Sequence, residues 1–384
     1  MNGITIIGTG LAGYNLAREI RKLDKEVPLT LVTADGGESY SKPMLSNALS
    51  KGKSADQLIL SDAQKMQSQL QATLYTRTRV NSINTVERSL QTSAGEIPFD
   101  RLVLAIGASQ RKLPVSGNAA DAILSVNDLD DYRRFQEQLS SANTVAIIGS
   151  GLIGCEFAND LISIHKNVIV VGSSKTPLDR LLLPEIGEQL QNRFKEQGVH
   201  WYMGVRAEEV NKSEIPDFKF AIKLSDDQIL GADLVLSATG LLPNLELPRQ
   251  AGIKVNRGIL VDRMLETSVS GIFALGDCIE LNELLLPFVL PIMHCARALA
   301  KTLTGENTPV HYPAMPIVIK TPLYPIVVSP PAVTAQGNWQ TEIDSTGARA
   351  LFTTGEDKLE GFVLTDQKIG EKQSLTKELP AVLE

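Results

Sequence analysis

Gly8-Thr9-Gly10-Leu11-Ala12-Gly13 follows the apolar run Ile4 to Ile7 and opens a segment, Leu11 to Lys22, whose apolar residues recur at helical spacing. The β-rich run Leu29 to Val32 comes next, so the order is strand, glycine turn, helix and strand. In such a unit the first glycine makes the tight turn, the second lets a pyrophosphate approach the backbone, and the third lets the helix pack on the strand. The N-terminus of the helix favours phosphate. All six residues of the turn are therefore predicted to contact a dinucleotide.

A carboxylate near the end of the second strand is the usual partner of the ribose hydroxyls in this kind of site. Asp35 is the candidate here, although it lies slightly beyond the position where that acid usually occurs. Thr33 and Ala34 are therefore predicted to share the ribose contact through their backbone.

The same unit recurs downstream as Gly149-Ser150-Gly151-Leu152-Ile153-Gly154, between the strand-like run Val145 to Ile148 and a predicted helix from about Leu152 to His165. Gly149, Gly151, Leu152, Ile153 and Gly154 are predicted to bind a second dinucleotide. The next strand ends in Gly172-Ser173-Ser174-Lys175, with no carboxylate. The motif by itself leaves NADH and NADPH open, and Lys175 either meets a 2′-phosphate or is solvated.

Further runs that look like buried strands end at a glycine. They are Leu102 to Ile106 before Gly107, Leu234 to Ala238 before Gly240, and Ile272 to Leu275 before Gly276-Asp277. The first two runs are similar to the connections between domains in the superfamily of two-dinucleotide flavoproteins, and the third resembles the late FAD motif of that superfamily. This resemblance implies further cofactor contacts at Ala105, Gly107, Gly240, Gly276 and Asp277.

Length and charge limit what the chain can be. Its 384 residues exceed one ordinary core and predict two or three domains, and its net charge of −7 disfavours nucleic acid as a partner. The longest apolar stretch, around Leu284 to Met293, is interrupted by prolines and is shorter than the roughly 20 residues that cross a bilayer. We expect no membrane span and, because no signal-like segment opens the sequence, cytoplasmic residence.

The cysteines and histidines show no pattern of a reactive or metal-binding site. Cys155, Cys278 and Cys295 form no close pair, which argues against a disulfide framework, a zinc site or a redox-active dithiol. The histidines lack metal-ligand spacing. No metal is expected, and the redox chemistry is predicted to reside on a bound cofactor.

The order of these units predicts an α/β fold with two Rossmann-like domains, one inserted in the other, and a small α+β C-terminal domain. The expected ranges are 1–108 for the first part of the FAD-binding domain, 109–238 for the NAD(P)H-binding domain, 239–310 for the second part of the FAD-binding domain, and 311–384 for the last domain. Prolines punctuate the β-branched runs after His311, which suits edge strands and turns of a small antiparallel sheet.

The run Thr267 to Asp277, with the two glycine turns, resembles the superfamily of two-dinucleotide flavoproteins, in which the final Asp binds a ribitol hydroxyl. The resemblance implies non-covalent FAD at the first turn and a nicotinamide at the second. Disulfide reductases and peroxidases of this superfamily carry a reactive cysteine where this chain reads Ser39 to Ser46 without one. That segment is similar instead to the signature of reductases that pass electrons to small iron proteins.

That second resemblance implies the catalytic residues. The lysine that matches Lys42 sits near flavin N5 and pairs with the glutamate that matches Glu156, so that the cation stabilises the reduced flavin and the carboxylate orients the ammonium. From the residues alone, Lys42 as a solvated loop lysine and Glu156 as an acid favoured by the helix dipole stay open.

Over its whole length the chain resembles the bacterial rubredoxin reductases, through Gly151 to Asp160, Tyr40 to Ser46, and Lys320-Thr321-Pro322 with Val328 to Pro331. The resemblance implies that Lys320 reaches the flavin from the C-terminal domain, that Val80 packs near the adenine, and that Val289 lies by the isoalloxazine. It also implies hydride transfer from NADH to FAD and then single electrons to rubredoxin, in support of alkane hydroxylation.

Two other functions stay open beside that one. A ferredoxin or putidaredoxin-type reductase shares every motif, and a slow-turnover flavoprotein regulated by its redox state belongs to a different class. Rubredoxins are usually acidic, so an acidic reductase needs a local basic patch, for which the candidates are Lys42, Lys51, Lys53 and Lys320.

Overall fold

The computed structural model describes residues 3–355 and 357–384, so residues 1, 2 and 356 of the predicted domain ranges lie outside the described residues. The helices are α1 Leu11–Leu23, α2 Ala63–Leu70, α3 Leu129–Leu139, α4 Leu152–Ile162, α5 Pro184–Lys195, α6 Glu246–Gln250, α7 Val289–Leu303 and α8 Lys372–Glu378. Short 3-10 helices span Lys42–Asn47, Asp56–Leu58, Ala120–Ala122 and Asp366–Glu371.

The strands follow in chain order. They are β1 Ile4–Ile7, β2 Leu29–Val32, β3 Ser39–Tyr40, β4 Ile59–Ser61, β5 Thr73–Tyr75, β6 Val80–Asn84, β7 Ser89–Thr92, β8 Gly95–Pro98, β9 Arg101–Leu104, β10 Ala108–Gln110, β11 Thr144–Ile148, β12 Asn167–Gly172, β13 Val199–Met203, β14 Ala207–Lys212, β15 Phe220–Leu224, β16 Ile229–Ala232, β17 Leu234–Ser237, β18 Leu241–Pro243, β19 Ile259–Val261, β20 Ile272–Ala274, β21 Ile279–Leu281, β22 Ile317–Ile319, β23 Ile326–Ser329, β24 Gly337–Asp344, β25 Gly347–Thr354 and β26 Lys358–Thr365.

The first glycine turn belongs to a parallel sheet with the strand order β20-β9-β1-β2-β5. Strand β1 is buried along its whole length, as expected of a parallel strand covered on both faces. Helices α1 and α7 pack against each other beside it. Because β20 comes from far downstream, the sheet is completed only after the chain has built the second nucleotide-binding unit.

The second glycine turn lies in another parallel sheet, ordered β13-β12-β11-β17. A three-stranded antiparallel sheet, β14-β15-β16, belongs to the same part of the chain. The short antiparallel pair β10 and β18 brings together the segments that enter and leave this part of the chain. Both glycine turns therefore sit at carboxyl ends of central parallel strands.

The C-terminal part is an antiparallel sheet with the order β22-β23-β26-β25-β24, followed by α8. Pro322, Pro325, Pro330 and Pro331 all fall in its turns rather than inside strands, because proline cannot donate to the ladder. The predicted fold class, two Rossmann-like units and a small α+β C-terminal part, is confirmed.

One predicted helix boundary needs correction. The helix expected to reach His165 ends at Ile162. His165 has φ +60 and Lys166 donates its N–H to Leu161 O, a left-handed termination that satisfies the last carbonyls.

One hydrophobic core is shared by all three parts of the chain. It contains Leu45 from the 3-10 helix Lys42–Asn47, Phe157 from α4, and Ile319 from β22, all buried. Burial of this kind fixes the segments relative to one another, because close-packed interiors resist displacement. In the part of the chain that the structure describes, no helix is both long and apolar enough to cross a membrane.

Candidate functional site: two nucleotide turns joined by one helix

The first turn is shaped by glycines with different tasks. Gly8 has φ +109, and a Cβ on it would lie 2.3 Å from the Ala105 carbonyl oxygen. A Cβ on Gly13 would lie 2.0 Å from Gly8 O, which explains why α1 can start directly against β1. A Cβ on Gly10 would meet no protein atom within 4 Å, so the protein leaves space beside this backbone. That open position is where a pyrophosphate fits.

Asp35 is joined to this turn by hydrogen bonds. Its Oδ1 accepts from Thr9 Oγ1 at 3.2 Å and from Thr33 Oγ1 at 2.7 Å, and the Asp35 side chain is exposed. The Thr33 N–H donates to Tyr75 O, and its carbonyl accepts from Thr78 N. Ala34 and Asp35 are exposed. The ribose contacts of Thr33, Ala34 and Asp35 stay predictions.

The second turn repeats the geometry of the first. Gly149 has φ +120, and a Cβ on it would lie 2.4 Å from Ala238 O. A Cβ on Gly154 would lie 2.0 Å from Gly149 O. Gly151 again has nothing within 4 Å. Leu152 and Ile153 continue into α4, and Ile153 is 37% exposed. Beyond β12, Ser173 and Lys175 are exposed.

The motif that ends at Asp277 lies next to the first glycine turn. Gly276 has φ +92, and a Cβ on it would approach Ala12 Cβ to 2.8 Å. Half-buried Asp277 follows, and burial raises the pKa of its carboxyl while the Lys42 charge opposes the rise. Burial likewise lowers the pKa of Lys42, and Asp277 is the largest of the charges that oppose that lowering.

The pairing predicted for Glu156 is wrong, since the structure joins Glu156 to Lys320 and not to Lys42. The ammonium of Lys320 lies 2.8 Å from Glu156 Oε2, and the side chain of Glu156 is fully buried. Ser46 Oγ donates to the same oxygen at 2.5 Å. The cause is the topology of the chain, because the end of β22 packs against the first turns of α4. The residues in contact are 164 positions apart, so their spacing in the sequence does not predict the contact.

Residues of α4 that were not predicted as site residues hold the neighbouring segments. Asp160 is 1% exposed and accepts the backbone N–H groups of Leu49 at 2.9 Å and Ser50 at 2.8 Å. Asn159 Oδ1 accepts the N–H of Leu323 at 3.0 Å. With Glu156, these residues stand three and four positions apart and share one helix face. The spacing of these polar residues in the sequence is the signal from which their shared role could have been predicted.

The other predicted cofactor residues lie around these turns. Gly107 and Gly240 have positive φ and open space at the Cβ position. Val80 is half-buried on β6 and packs on the first core, while Val289 begins α7 with 39% of its side chain exposed. The glycine cradles and exposed apolar edge fit a dinucleotide with a flat ring system. The individual contacts of these residues stay predictions.

The cysteines do not form a redox pair. Cys155, Cys278 and Cys295 are free and buried, and burial raises the pKa of the Cys278 thiol to about 12. Thiols held protonated are poor nucleophiles. Among the described residues, no group of three or more His, Cys, Asp and Glu side chains is arranged to hold a metal ion.

Residues 3–301 match the family model described as pyridine nucleotide-disulphide oxidoreductase. The chain belongs to that family. Its membership confirms the prediction of an FAD-dependent oxidoreductase that uses a pyridine nucleotide. Residues 309–379 match a second model, described as a rubredoxin binding C-terminal domain, which covers the antiparallel sheet and α8.

Curated relatives match over full length. A rubredoxin-NAD(+) reductase of Acinetobacter baylyi is 46% identical over 100% of this chain and 99% of its own, and one of Alcanivorax borkumensis is 43% identical over 100% of both. A nitric oxide reductase FlRd-NAD(+) reductase of Escherichia coli is 38% identical over 99% of both chains. The resemblance to rubredoxin reductases is therefore confirmed.

Solved structures share the fold. Putidaredoxin reductase, in its covalent complex with putidaredoxin, is 26% identical with a TM-score of 0.88, over 99% of this chain and 94% of that one. An NADH:rubredoxin oxidoreductase from Clostridium acetobutylicum has a TM-score of 0.80 over 98% of this chain and 93% of that one, at 20% identity. The second likeness concerns the fold alone.

Proposed function

We propose that this chain is an NADH-dependent reductase that passes electrons one at a time to rubredoxin. The observation that best supports this proposal is a contact between two parts of the chain. Lys320 and Leu323, at the edge of the part that matches a rubredoxin-binding domain, bind directly to α4, the helix that opens at the second nucleotide turn. Electron donor, flavin edge and acceptor domain are therefore adjacent in this chain.

Each part of the site has a role in this function. Gly8, Gly10 and Gly13 cradle the FAD pyrophosphate, Asp35 meets its ribose, and Asp277 meets its ribitol chain. Gly149, Gly151 and Gly154 cradle NADH. Bound FAD would supply the conversion of a two-electron hydride into single electrons, which a nicotinamide alone does not provide. The half-buried ammonium of Lys42 supplies positive charge beside the flavin ring, where negative charge develops.

The domain ranges predicted from the sequence are part of this proposal. We place the FAD-binding domain at 1–108 and 239–310, the nicotinamide-binding domain at 109–238, and the acceptor domain at 311–384. Cytoplasmic residence and a role in alkane hydroxylation are proposed with them, on the resemblance to rubredoxin reductases.

Acceptor preference tests the proposal directly. NADH-driven reduction is measured with rubredoxin, with ferredoxin and with cytochrome c alone, and fast turnover only with rubredoxin is expected. Faster reduction of ferredoxin would assign a ferredoxin-type reductase. Slow rates with every acceptor would favour the redox-regulated flavoprotein. The Escherichia coli relative is named an FlRd-NAD(+) reductase. FlRd is therefore included in the same assay as a further acceptor.

The role of Lys42 is tested by removing its charge. Lys42→Ala is expected to keep FAD, because the glycine cradle and Asp277 are untouched, and to slow flavin reduction by NADH in stopped-flow measurements. Lys65→Met, which removes the charge of an exposed lysine on α2, is the matched control. A wild-type rate in Lys42→Ala would remove Lys42 from the mechanism.

A further inference from the structure

The outer face of helix α7 presents an apolar side chain and basic side chains in one row. Its residues are spaced four, three and four positions apart, which places them on one side of the helix: Leu290, His294, Arg297 and Lys301. Leu290 is 47% exposed although its side chain is large and apolar, and Arg297 is exposed as well. The opposite face of α7 is buried in the first core. Solvent therefore meets a surface that is apolar where α7 begins and basic further along.

The basic part of this face lacks an internal counter-charge. Burial lowers the pKa of His294, and the charges of Arg297 and His311 lower it further. Lys301 pairs with Glu306 at 3.1 Å, whereas within residues 3–355 and 357–384 no ion pair engages Arg297. Like charges held together are unfavourable in the free protein, and an acidic partner relieves that repulsion. The name α7 surface is used below for Leu290, His294, Arg297 and His311.

The α7 surface lies between the predicted flavin edge and the C-terminal part of the chain. Helix α7 begins at Val289, which is predicted to lie by the isoalloxazine. His311 belongs to residues 309–379, which match the rubredoxin-binding model, and the ring of His294 contacts that of Tyr312 with centroids 6.3 Å apart. Arg297 lies about 12 Å along the helix axis from Val289. It is therefore placed to meet a protein beside the flavin rather than the flavin itself.

We propose that rubredoxin docks on the α7 surface, with Leu290 near the centre of the contact and Arg297 at its rim. The proposal rests on the proposed function, which supplies the acceptor. Rubredoxins are usually acidic, so their charge complements that of Arg297. Complexes between redox partners bury little surface, and a few apolar and arginine side chains carry much of the binding in an interface.

A second copy of this chain fits the α7 surface less well. In a two-fold contact the same patch occurs on both subunits, so Arg297 would face the basic row of its own copy. Like charges across an interface oppose association. The charge pattern thus favours an acidic carrier protein as the occupant.

Substitutions of Arg297 and Leu290 test the two parts of the surface separately. Arg297→Gln should lower kcat/KM for rubredoxin about tenfold at low ionic strength and weaken its salt dependence, and Arg297→Glu should lower it further. Leu290→Gln should also lower kcat/KM about tenfold, but with the salt dependence of wild type, because it removes an apolar contact and no charge. Arg249→Gln, at an exposed arginine on α6, is the matched control and should change neither quantity.

The first half-reaction controls for effects on the flavin. Flavin reduction by NADH in stopped-flow measurements should keep the wild-type rate in every variant. Turnover with ferricyanide, a small acceptor that needs no protein docking surface, should do the same. Arg297→Lys should retain most of the activity with rubredoxin, because it keeps the charge at the rim of the contact. Thermal unfolding of each variant checks that the substitutions at these exposed positions leave the fold intact.

Wild-type kcat/KM for rubredoxin in both Arg297→Glu and Leu290→Gln would overturn the proposal. An equal loss of turnover with ferricyanide would also overturn it, since the variants would then act on the flavin. Calorimetric titration with oxidised rubredoxin separates docking from the proposed function. If wild-type protein binds rubredoxin without reducing it, the proposed function fails, and docking on the α7 surface stands only if Arg297→Glu weakens that binding. If wild-type protein does not bind rubredoxin, the docking proposal fails as well.

Discussion

At the scale of single residues, the glycines of each turn separate into packing glycines and binding glycines. Gly13 and Gly154 are required by the protein itself, because a Cβ on either would lie 2.0 Å from a backbone oxygen. Gly10 and Gly151 border open space. The motif assigns the third glycine to packing and the second to the ligand, and the structure supplies the packing distances. Replacing Gly13 or Gly154 is therefore expected to harm the fold, and replacing Gly10 or Gly151 to harm ligand binding.

Gly151→Ala and Gly154→Ala are the matched pair that tests this difference. Gly151→Ala should change apoprotein stability by no more than about 1 kcal/mol, yet raise the apparent Kd for NADH by about tenfold or more, a loss of about 1.4 kcal/mol. Gly154→Ala should destabilise the apoprotein by about 1–3 kcal/mol through overpacking. Urea unfolding and the NADH dependence of flavin reduction measure the two effects. Equal loss of stability in both variants would contradict the distinction.

Lys42 provides a prediction about pH. Burial lowers its pKa below the usual 10.5, and Asp277 limits that lowering. Only the charged ammonium stabilises negative charge at the flavin, so the rate of flavin reduction should fall as pH rises, with a midpoint below 10.5. In Lys42→Arg the fall should disappear from the accessible range, because guanidinium stays charged. An identical alkaline fall in the arginine variant would assign the titration to another group.

At the scale of elements, α4 has two different working surfaces. Its N-terminus forms the second nucleotide turn, whereas its face with Glu156, Asn159 and Asp160 holds the segments around Lys42 and Lys320. A helix is rigid over a few turns, so its two surfaces keep a fixed relation to each other. The element that we propose to bind NADH therefore also contacts the segments that carry Lys42 and Lys320.

Asp160→Asn tests the second surface. Its carboxylate accepts two backbone N–H groups, and an amide in the same place sets an NH₂ donor against one of them. The expected loss is about 1–3 kcal/mol in urea unfolding of the holoprotein. Asp121→Asn, at an exposed position, is the matched control and should stay within about 0.5 kcal/mol. Equal stability of the two variants would mean that Asp160 does not hold this junction.

At the scale of the whole molecule, the net charge of −7 works against an acidic partner, so any attraction to rubredoxin must be local. Of the lysines first considered for a basic patch, Lys320 pairs with buried Glu156 at 2.8 Å and Lys42 is half-buried. Lys51 and Lys53 are exposed. Of those four lysines, the structure therefore leaves Lys51 and Lys53 as candidates.

The variant Lys51→Gln/Lys53→Gln should lower kcat/KM for rubredoxin several-fold at low ionic strength and weaken its salt dependence, because exposed charges act mainly on association and are screened within about 10 Å at 0.1 M salt. Reduction kinetics between low and high salt, normalised to flavin reduction by NADH, measure the effect. If added salt does not slow wild-type rubredoxin reduction, local electrostatic docking is wrong.

Local signals determined much of this molecule. Glycine turns between strand and helix, the run ending at Asp277 and the absence of a cysteine between Ser39 and Ser46 are enough for the fold class, the two nucleotide sites and an external electron acceptor. Each depends on residues within one strand-turn-helix unit, whose geometry is set by backbone sterics and short-range hydrogen bonds.

Only the tertiary structure decided which charges meet. Glu156 lies 164 residues from Lys320 and 110 from Ser46, and their contact follows from how three parts of the chain pack on one shared core. The resemblance to reductases of small iron proteins implied a pairing of Glu156 with Lys42, but motifs carry no distance between separate parts of a chain. Long-range packing pairs Glu156 with Lys320 instead.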